Sequence, residues 1–167
     1  SMEMFYINGI TPSSLAIEVT EQTLPSDRKS FYRALDIIRE HGHPIIIDDF
    51  GAGMSNFTQV MRVRPAIVKT DMALIHEAEK SAYARRCLHA LINYIQDIGA
   101  QVVIEGIENE VQRDIAEELG GNYGQGFFYG NPTIRKKTLQ DKPAKPVQKS
   151  VVKLNDVNLT RQHINAI

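Results

Sequence analysis

The sequence predicts an α/β fold that forms part of a (β/α) barrel, with about five βα units. Strand-like apolar segments recur along the chain: LAIEVTE, PIIIDDFG, AIVKTD, QVVIEG and the weaker GQGFFYG. Most are near-continuous apolar runs, which are typical of parallel strands covered by helices on both faces. A closed barrel of eight units needs roughly 250 residues. The 167-residue chain therefore predicts a partial barrel.

Helical patterns lie between these strands. Three segments place apolar residues three and four positions apart, as the buried face of a helix does: Phe31, Leu35 and Ile38; Leu88, Leu91, Ile92, Ile95 and Ile98; and Val111, Ile115 and Leu119. Ser26 or Asp27 can cap the first helix, and Asn109 with Gln112 three residues later resembles a capping box. Glycines suit the ends of these helices: Gly42, Gly99 and Gly120. Only a short helix fits between Ser55 and Val63.

Composition divides the chain into an α/β domain at 1–134, a basic Pro/Lys linker at 135–150 and a C-terminal segment at 151–167. The sequence does not decide whether this last segment forms a strand or a short helix. Residues 135–167 hold eight Lys and Arg against two Asp, a charge of +6. Because the whole chain has a net charge of −1, residues 1–134 carry a charge of −7. Such an acidic domain argues against a nucleic-acid groove, which needs a basic surface. The basic linker is interpreted as a solvated tail.

No apolar run approaches the length of a membrane span, and the N-terminal residues lack the pattern of a secretion signal. The single cysteine, Cys87, cannot form an internal disulfide, which is consistent with a reducing compartment. We therefore expect a cytoplasmic protein. Cys87 lies in a helical pattern and is expected to be a buried structural thiol.

Charged and polar side chains collect where the predicted strands end. They are Glu18 and Glu21 at the first strand, Asp48 and Asp49 at the second, Lys69 and Asp71 at the third, Glu105 and Glu108 at the fourth and Gln125 near the fifth. Because the carboxyl ends of parallel strands form the active face of such folds, these groups are expected to converge. Clustered carboxylates repel one another unless cations intervene, and oxygen ligands without His or Cys favour Mg²⁺ or Mn²⁺.

Each of these residues also has an ordinary structural explanation. Acidic residues after a strand often cap the following helix, and Lys69 could pair with any one of them. The DFG triplet occurs in the magnesium site of protein kinases, but the glycine-rich loop and HRD triplet of kinases are absent. Four charged strand ends in succession favour a metal site that could support phosphodiester hydrolysis.

The segments IEVTE, IDDFGAG, VKTD, IEGIEN and GQGFFYGNP, in this order and spacing, resemble the EAL domain of bacterial cyclic di-GMP phosphodiesterases. The resemblance implies a modified (β/α)₈ barrel that uses Mg²⁺ or Mn²⁺ to hydrolyse cyclic di-GMP to pGpG. It further implies that Glu18, Asp48 and Asp49 are metal ligands. Lys69 and Glu105 would serve the attacking water, with Glu105 as the general base. Glu21 would brace the loop after Asp49, and Glu108 and Gln125 would line the substrate or metal site.

The 167 residues do not contain the Glu-Ala-Leu triplet that names this family and supplies a metal ligand. The family's upstream strand with its ligand Asn is also missing, so we expect the chain to begin inside the domain. Little or no hydrolysis is expected from this chain in isolation. When several ligands act as a unit, the absence of one can abolish the activity of the whole site. The alternative interpretation is a truncated, non-catalytic EAL-like binding or interaction module.

A partial barrel leaves the edge of the LAIEVTE strand open. Exposed strand edges tend to pair with other chains. We therefore expect a homo-oligomer in which a second copy, with or without an exchanged C-terminal segment, covers this edge.

Overall fold

The computed structural model describes residues 11–20, 28–52, 57–130 and 151–154. Its strands are β1 (Ile17–Thr20), β2 (Ile45–Phe50), β3 (Ile67–Thr70), β4 (Gln101–Ile104), β5 (Tyr123–Gln125) and β6 (Val151–Lys153). Its α-helices are α1 (Arg28–Glu40), α2 (Phe57–Val63), α3 (Met72–Lys80), α4 (Ala82–Asp97) and α5 (Glu110–Glu118). Single turns of 3₁₀ helix occur at Pro12–Ser14 and Phe127–Tyr129.

The chain divides into two compact units. Among the described residues, the first comprises 11–20, 28–52, 57–71 and 93–102, and the second comprises 72–92, 103–130 and 151–154. The chain passes between the units after residues 71, 92 and 102, and the last of these crossings lies within β4. The strands occur in the order β1-β2-β3-β4-β5-β6, which follows the order of the sequence.

Parallel strands form the centre of the first unit. Ile17 pairs with Ile45 in the β1–β2 ladder, and Ile47 pairs with Val68 in the β2–β3 ladder. The Gln101 N–H donates to the Ala66 carbonyl at 2.9 Å and brings the start of β4 alongside β3. Three of these β-branched side chains, Ile45, Ile47 and Val68, are buried. The prediction of an α/β fold with parallel strands is confirmed.

The first predicted helix is α1, which packs Leu35 into the core while Phe31 and Ile38 are half-buried. It ends as predicted at Gly42, whose φ of 84° lies in the left-handed region. The predicted caps, Ser26 and Asp27, lie outside the described residues. The predicted short helix is α2.

Three predictions of burial are wrong. Cys87 is exposed, because it lies on α4 one residue before the buried Leu88 and one residue step turns the helix by about 100°. Ile98 is 46% exposed, because it follows the last residue of α4. Val111 is 54% exposed although it lies one turn before the buried Ile115 on the same face, because it belongs to the first turn of α5.

The second unit continues the parallel pattern and then reverses it. Val103 pairs with Tyr123 in the parallel β4–β5 ladder, and β6 runs antiparallel to β5, with Gly124 opposite Val152. The residues after Gln125 turn into a 3₁₀ helix at Phe127–Tyr129, so the fifth strand is shorter than the predicted GQGFFYG segment.

The C-terminal segment, whose structure the sequence left open, adds the strand β6 within its described part. Leu154 follows this strand and is only 3% exposed. Its methyl groups lie 3.0 Å from the points where Cβ atoms on Gly121 and Gly124 would lie. The two glycines therefore leave the space that the Leu154 side chain occupies.

Within the described residues, β1 stands at one end of the strand order and its Glu18 side chain is 48% exposed. The pairing of two copies over this edge stays a prediction. None of the described helices is long and apolar enough to cross a bilayer.

Gly126 provides a test of the close packing beside β5. A Cβ at this position would lie 2.0 Å from the Ile107 carbonyl oxygen, a backbone atom that cannot move aside. We predict that Gly126→Ala destabilises the chain by about 3 kcal/mol in urea denaturation.

Gly99→Ala is the matched control, because a Cβ there meets nothing within 4 Å and only the φ of 85° opposes it. The left-handed conformation alone costs about 1–2 kcal/mol. Equal losses for the two variants would contradict the proposed crowding at Gly126.

Candidate functional site

Strand β2 contains a bulge at the two adjacent aspartates. Ile47 is paired with Val68, and Phe50 is paired with Thr70. Two residues of β2, Asp48 and Asp49, therefore lie opposite a single residue of β3. A β-bulge of this kind interrupts the alternation of side chains between the two faces of a sheet.

The backbone of Asp49 permits this bulge. Its φ of 54° lies in the left-handed region, which Asp and Asn enter more readily than most other residues. One carboxylate oxygen of Asp48 and one of Asp49 lie within 4.8 Å of each other. Successive residues of a regular strand would point to opposite faces, so the bulge is what brings these two carboxylates together.

Lys69 lies opposite the bulge and pairs with two carboxylates. Its Nζ donates to Asp48 Oδ1 at 2.8 Å and lies 3.0 Å from Glu18 Oε1. The Lys69 and Asp48 side chains are 18% and 20% exposed, so this pair is largely withdrawn from solvent. The ammonium thereby connects side chains from three parallel strands, β1, β2 and β3.

The carboxylates outnumber this ammonium. Burial raises the pKa of Asp49 above its ordinary value of 3.8, and the negative charges of Asp48 and Asp71 raise it next. Lys69 lowers the pKa of Asp49, and Glu18 raises it by a smaller amount. The raised pKa means that an ionised Asp49 is held against the repulsion of its neighbours.

This donor set fits a hard divalent cation. Asp48 uses one oxygen for Lys69, and a carboxylate has a second oxygen that can accept another partner. Within the part of the chain that the structure describes, neither His nor Cys belongs to the cluster, and all-oxygen sites favour Mg²⁺, Mn²⁺ or Ca²⁺ over zinc. A bound cation would also favour the ionised form of Asp49, whose pKa is raised by burial and then by the charges of Asp48 and Asp71.

The structure thus brings together four of the predicted site residues of the first unit, Glu18, Asp48, Asp49 and Lys69. Asp71, a fifth, is close enough to act on the charge of Asp49, and its N–H donates to the Phe50 carbonyl at 3.0 Å. Glu21, the predicted brace for the loop after Asp49, lies outside the described residues.

The remaining predicted site residues belong to the second unit. Glu105 directly follows β4 and is half-buried, with its Oε1 atom buried. Gln125 is the last residue of β5, and its carbonyl accepts from the Ile107 N–H at 3.1 Å. Glu108 is exposed and its N–H donates to Gln112 Oε1 at 2.7 Å. A short backbone loop, residues 105–108, thus links the ends of β4 and β5.

A polar network behind this loop holds it in place. Gln112 is buried, donates through Nε2 to Glu79 at 2.7 Å and accepts from the Glu108 N–H. Asn109 caps α5 by accepting from the Gln112 N–H at 2.9 Å, as the sequence predicts. The Gln112 side chain bonds to the N–H of Glu108, one residue before the cap, whereas a standard capping box would bond to the cap itself.

The sequence analysis missed the partners of this loop on α3. Glu79 accepts from Gln112, and His76 Nε2 lies 3.0 Å from the Gly106 carbonyl oxygen. A Cβ on Gly106 would lie 2.4 Å from the Met72 Cβ, so α3 approaches the loop closely. The buried Ile75 and Ala78, three residues apart, are the signal that could have identified α3.

Comparison with known proteins identifies related sequences. A family model described as EAL domain matches residues 3–132. The chain is 31% identical over 125 residues to the bifunctional diguanylate cyclase/cyclic di-GMP phosphodiesterase MucR of Pseudomonas aeruginosa, an alignment that covers 75% of this chain and 18% of MucR. It is also 31% identical over 122 residues to the cyclic di-GMP phosphodiesterase PA2567 of the same organism, with coverage of 73% and 21%. The chain thus spans about a fifth of these relatives' length.

Among solved structures, the chain resembles BlrP1 of Klebsiella pneumoniae in its complex with manganese and cyclic di-GMP. The TM-score is 0.72 at 29% sequence identity, and the match covers 78% of this chain and 33% of BlrP1. The calcium and cyclic di-GMP complex of BlrP1 matches with the same TM-score, identity and coverage. This similarity shows that the chain shares its fold with part of BlrP1.

The raised pKa of Asp49 leads to a prediction on stability. A carboxyl group whose pKa is raised by folding contributes most below its unfolded pKa, here 3.8, and the contribution is lost as pH rises through the folded pKa. Asparagine cannot ionise and tolerates a positive φ. We predict that Asp49→Asn raises the melting temperature of the chain in EDTA at pH 7, and that this gain shrinks as the pH is lowered towards 4.

Glu77→Gln serves as the control, because Glu77 lies in an exposed pair with Lys80 and such pairs contribute little. Its melting temperature should stay close to that of the unmodified chain at every pH. A loss of stability in Asp49→Asn at pH 7, or a gain that does not vary with pH, would contradict the described electrostatics.

Proposed function

The chain belongs to the EAL domain family, and we propose that it carries the C-terminal part of the site at which a metal-dependent phosphodiesterase hydrolyses cyclic di-GMP to pGpG. The observation that carries this proposal is the cluster of Glu18, Asp48 and Asp49 around Lys69. Relatives named as cyclic di-GMP phosphodiesterases support the choice of substrate.

Glu18, Asp48 and Asp49 would hold the divalent ion. The excess of carboxylates at the bulge supports this assignment, and so does the presence of manganese or calcium with cyclic di-GMP in structures of BlrP1. We propose Mg²⁺ or Mn²⁺ as the ion. When bound, such an ion lowers the pKa of water and stabilises negative charge on phosphate oxygens.

Lys69 has two tasks in this proposal. Its ammonium holds the Glu18 and Asp48 carboxylates in place, at 3.0 and 2.8 Å. In this proposal the ammonium also serves the attacking water or a phosphate oxygen as a charged hydrogen-bond donor. A charged donor near the reacting phosphate is stabilising where negative charge develops.

Glu105 is the proposed general base, which takes the proton of the attacking water. Its half-buried carboxylate directly follows β4, the position at which (β/α) folds carry catalytic groups. The network of Gln112 and Glu79 fixes the loop behind it. Glu21, Asp71, Glu108 and Gln125 are proposed to line the substrate or to brace the metal ligands, Glu21 by supporting the loop after Asp49.

The 167 residues by themselves are expected to turn over little or no cyclic di-GMP, because they lack the Glu-Ala-Leu triplet whose Glu completes the ligand set of the family. The measurement is chromatography for pGpG after incubation of the purified chain with cyclic di-GMP and Mn²⁺. Product formed by the unmodified chain and lost in Asp48→Asn would contradict the expected inactivity but support the site.

The proposed site can be tested directly in a chain extended upstream to include a Glu-Ala-Leu triplet. There we predict hydrolysis to pGpG, reduced about 100- to 10,000-fold by Glu105→Gln, as expected for loss of a general base. Asp48→Asn should reduce it at least as much, because it removes a charge needed to hold the ion.

Glu110→Gln is the control for that experiment, since Glu110 is an exposed residue of α5 that contacts Arg113. It should change the rate less than about twofold. A folded extended chain that binds cyclic di-GMP and Mn²⁺ but yields no pGpG would support a non-catalytic module and end the proposal of hydrolysis.

A further inference from the structure

We propose that a groove between α1 and α2 binds a multivalent phosphate anion. The groove has a volume of about 660 Å³ and is lined by Lys29, Tyr32, Arg33, Asp36, Met61, Arg62 and Arg64. This volume is within the range of about 300–1,000 Å³ that small-molecule sites occupy in proteins. Its residues take no part in the proposed phosphodiesterase site, so the two proposals can fail independently.

The groove is strongly cationic in an acidic part of the chain. Four of its seven lining residues are Lys or Arg, whereas residues 1–134 as a whole carry −7. The only acid in the lining, Asp36, already accepts from Arg39 Nη1 at 2.7 Å. A local excess of positive charge against this background attracts anions to one place on the first unit.

The walls of the groove are fixed relative to each other. Arg39 on α1 donates through Nη2 to the Val63 carbonyl at the end of α2, at 2.6 Å. The Arg62 guanidinium lies 5.5 Å from the centre of the Tyr32 ring on the opposite wall. Such cation–π contact restrains a long side chain and leaves the edges of its guanidinium able to donate. The groove is therefore held between two connected helices.

The backbone of Arg64 lies in the left-handed region, with a φ of 48°. Within the described residues, only one other non-glycine residue has a positive φ, and that residue is Asp49 of the candidate metal site. Left-handed backbone at a non-glycine residue costs free energy and concentrates at functional sites. Glycine or asparagine would adopt this conformation at a lower cost in free energy, yet the residue at this position is an arginine.

Arginine guanidinium groups indicate which anion fits. Their planar donors match phosphate oxygens in pairs, whereas a small monovalent anion would leave most of the positive charge unpaired. The shared chemistry is therefore a group with several phosphate charges. It can belong to a free polyphosphate, to a nucleoside triphosphate or to a phosphomonoester lipid headgroup.

Binding to the full 167-residue chain is measured by isothermal titration in EDTA at low salt, with inorganic tripolyphosphate as the probe. We expect saturable binding that weakens as salt is added, since exposed charges are screened. The double variant Arg62→Gln/Arg64→Gln should weaken it at least about tenfold, because hydrogen bonds between charged groups are lost. Circular dichroism confirms that the variant is folded, and Arg33→Gln provides an independent loss of charge in the groove.

Lys80→Gln/Arg86→Gln is the matched control, because it removes the same charge from exposed residues outside the groove. It should leave the affinity within about twofold. No binding of tripolyphosphate, GTP or phosphatidic acid vesicles, or equal weakening in the control, would overturn the proposal.

The probes also separate the sources of phosphate. Equal affinity for tripolyphosphate and GTP supports recognition of the phosphates alone, and tighter binding of GTP supports a nucleotide ligand. Binding confined to phosphatidylcholine vesicles that contain phosphatidic acid, and lost in Arg62→Gln/Arg64→Gln, supports a lipid headgroup.

Discussion

The bulge of β2 opposite Lys69 is the feature on which the candidate site depends. A regular strand would direct Asp48 and Asp49 to opposite faces of the sheet, and only one of them could join Glu18. The extra residue of the bulge and the left-handed backbone of Asp49 bring both carboxylates together. The Lys69 ammonium offsets part of their repulsion and binds β1, β2 and β3 to one another at this point.

The excess of carboxylates at this cluster lowers the stability of the folded chain when no cation is bound. Burial and the charges of Asp48 and Asp71 raise the pKa of Asp49, and the same excess of negative charge would attract a divalent cation. Sites of this kind are less stable without their ion than an uncharged equivalent would be. The loop after β4 is held differently, since its hydrogen bonds to Gln112 and His76 need no cation.

The sequence predicted the first four strands well because each lies in a short apolar run with charged residues at its carboxyl end, whereas β5 is shorter than the predicted GQGFFYG segment. It also predicted that Asp48, Asp49 and Lys69 would meet, because parallel strands end at the same edge of a sheet. It could not predict the bulge, which depends on the register between β2 and β3. It placed Cys87 in the core although Cys87 lies about 100° around α4 from Leu88, which the pattern assigned to the buried face.

The polar network of the second unit was missed for a related reason. Glu79 and Gln112 lie 33 positions apart, and only the packing of α3 against α5 makes them partners. The basic groove likewise joins residues of α1 to residues of α2 and to Arg64 after it, and the strand β2 separates these two helices in the sequence. Local patterns therefore identified the elements and the charged strand ends, whereas contacts between distant residues required the structure.

Binding of Mn²⁺, followed by the electron paramagnetic resonance signal of the free ion, tests the central claim most directly. The unmodified chain should remove free Mn²⁺ from solution, and Asp48→Asn and Asp49→Asn should each weaken this binding, while Glu77→Gln should not. Binding that is unchanged in both aspartate variants would show that the bulge of β2 does not hold a divalent cation.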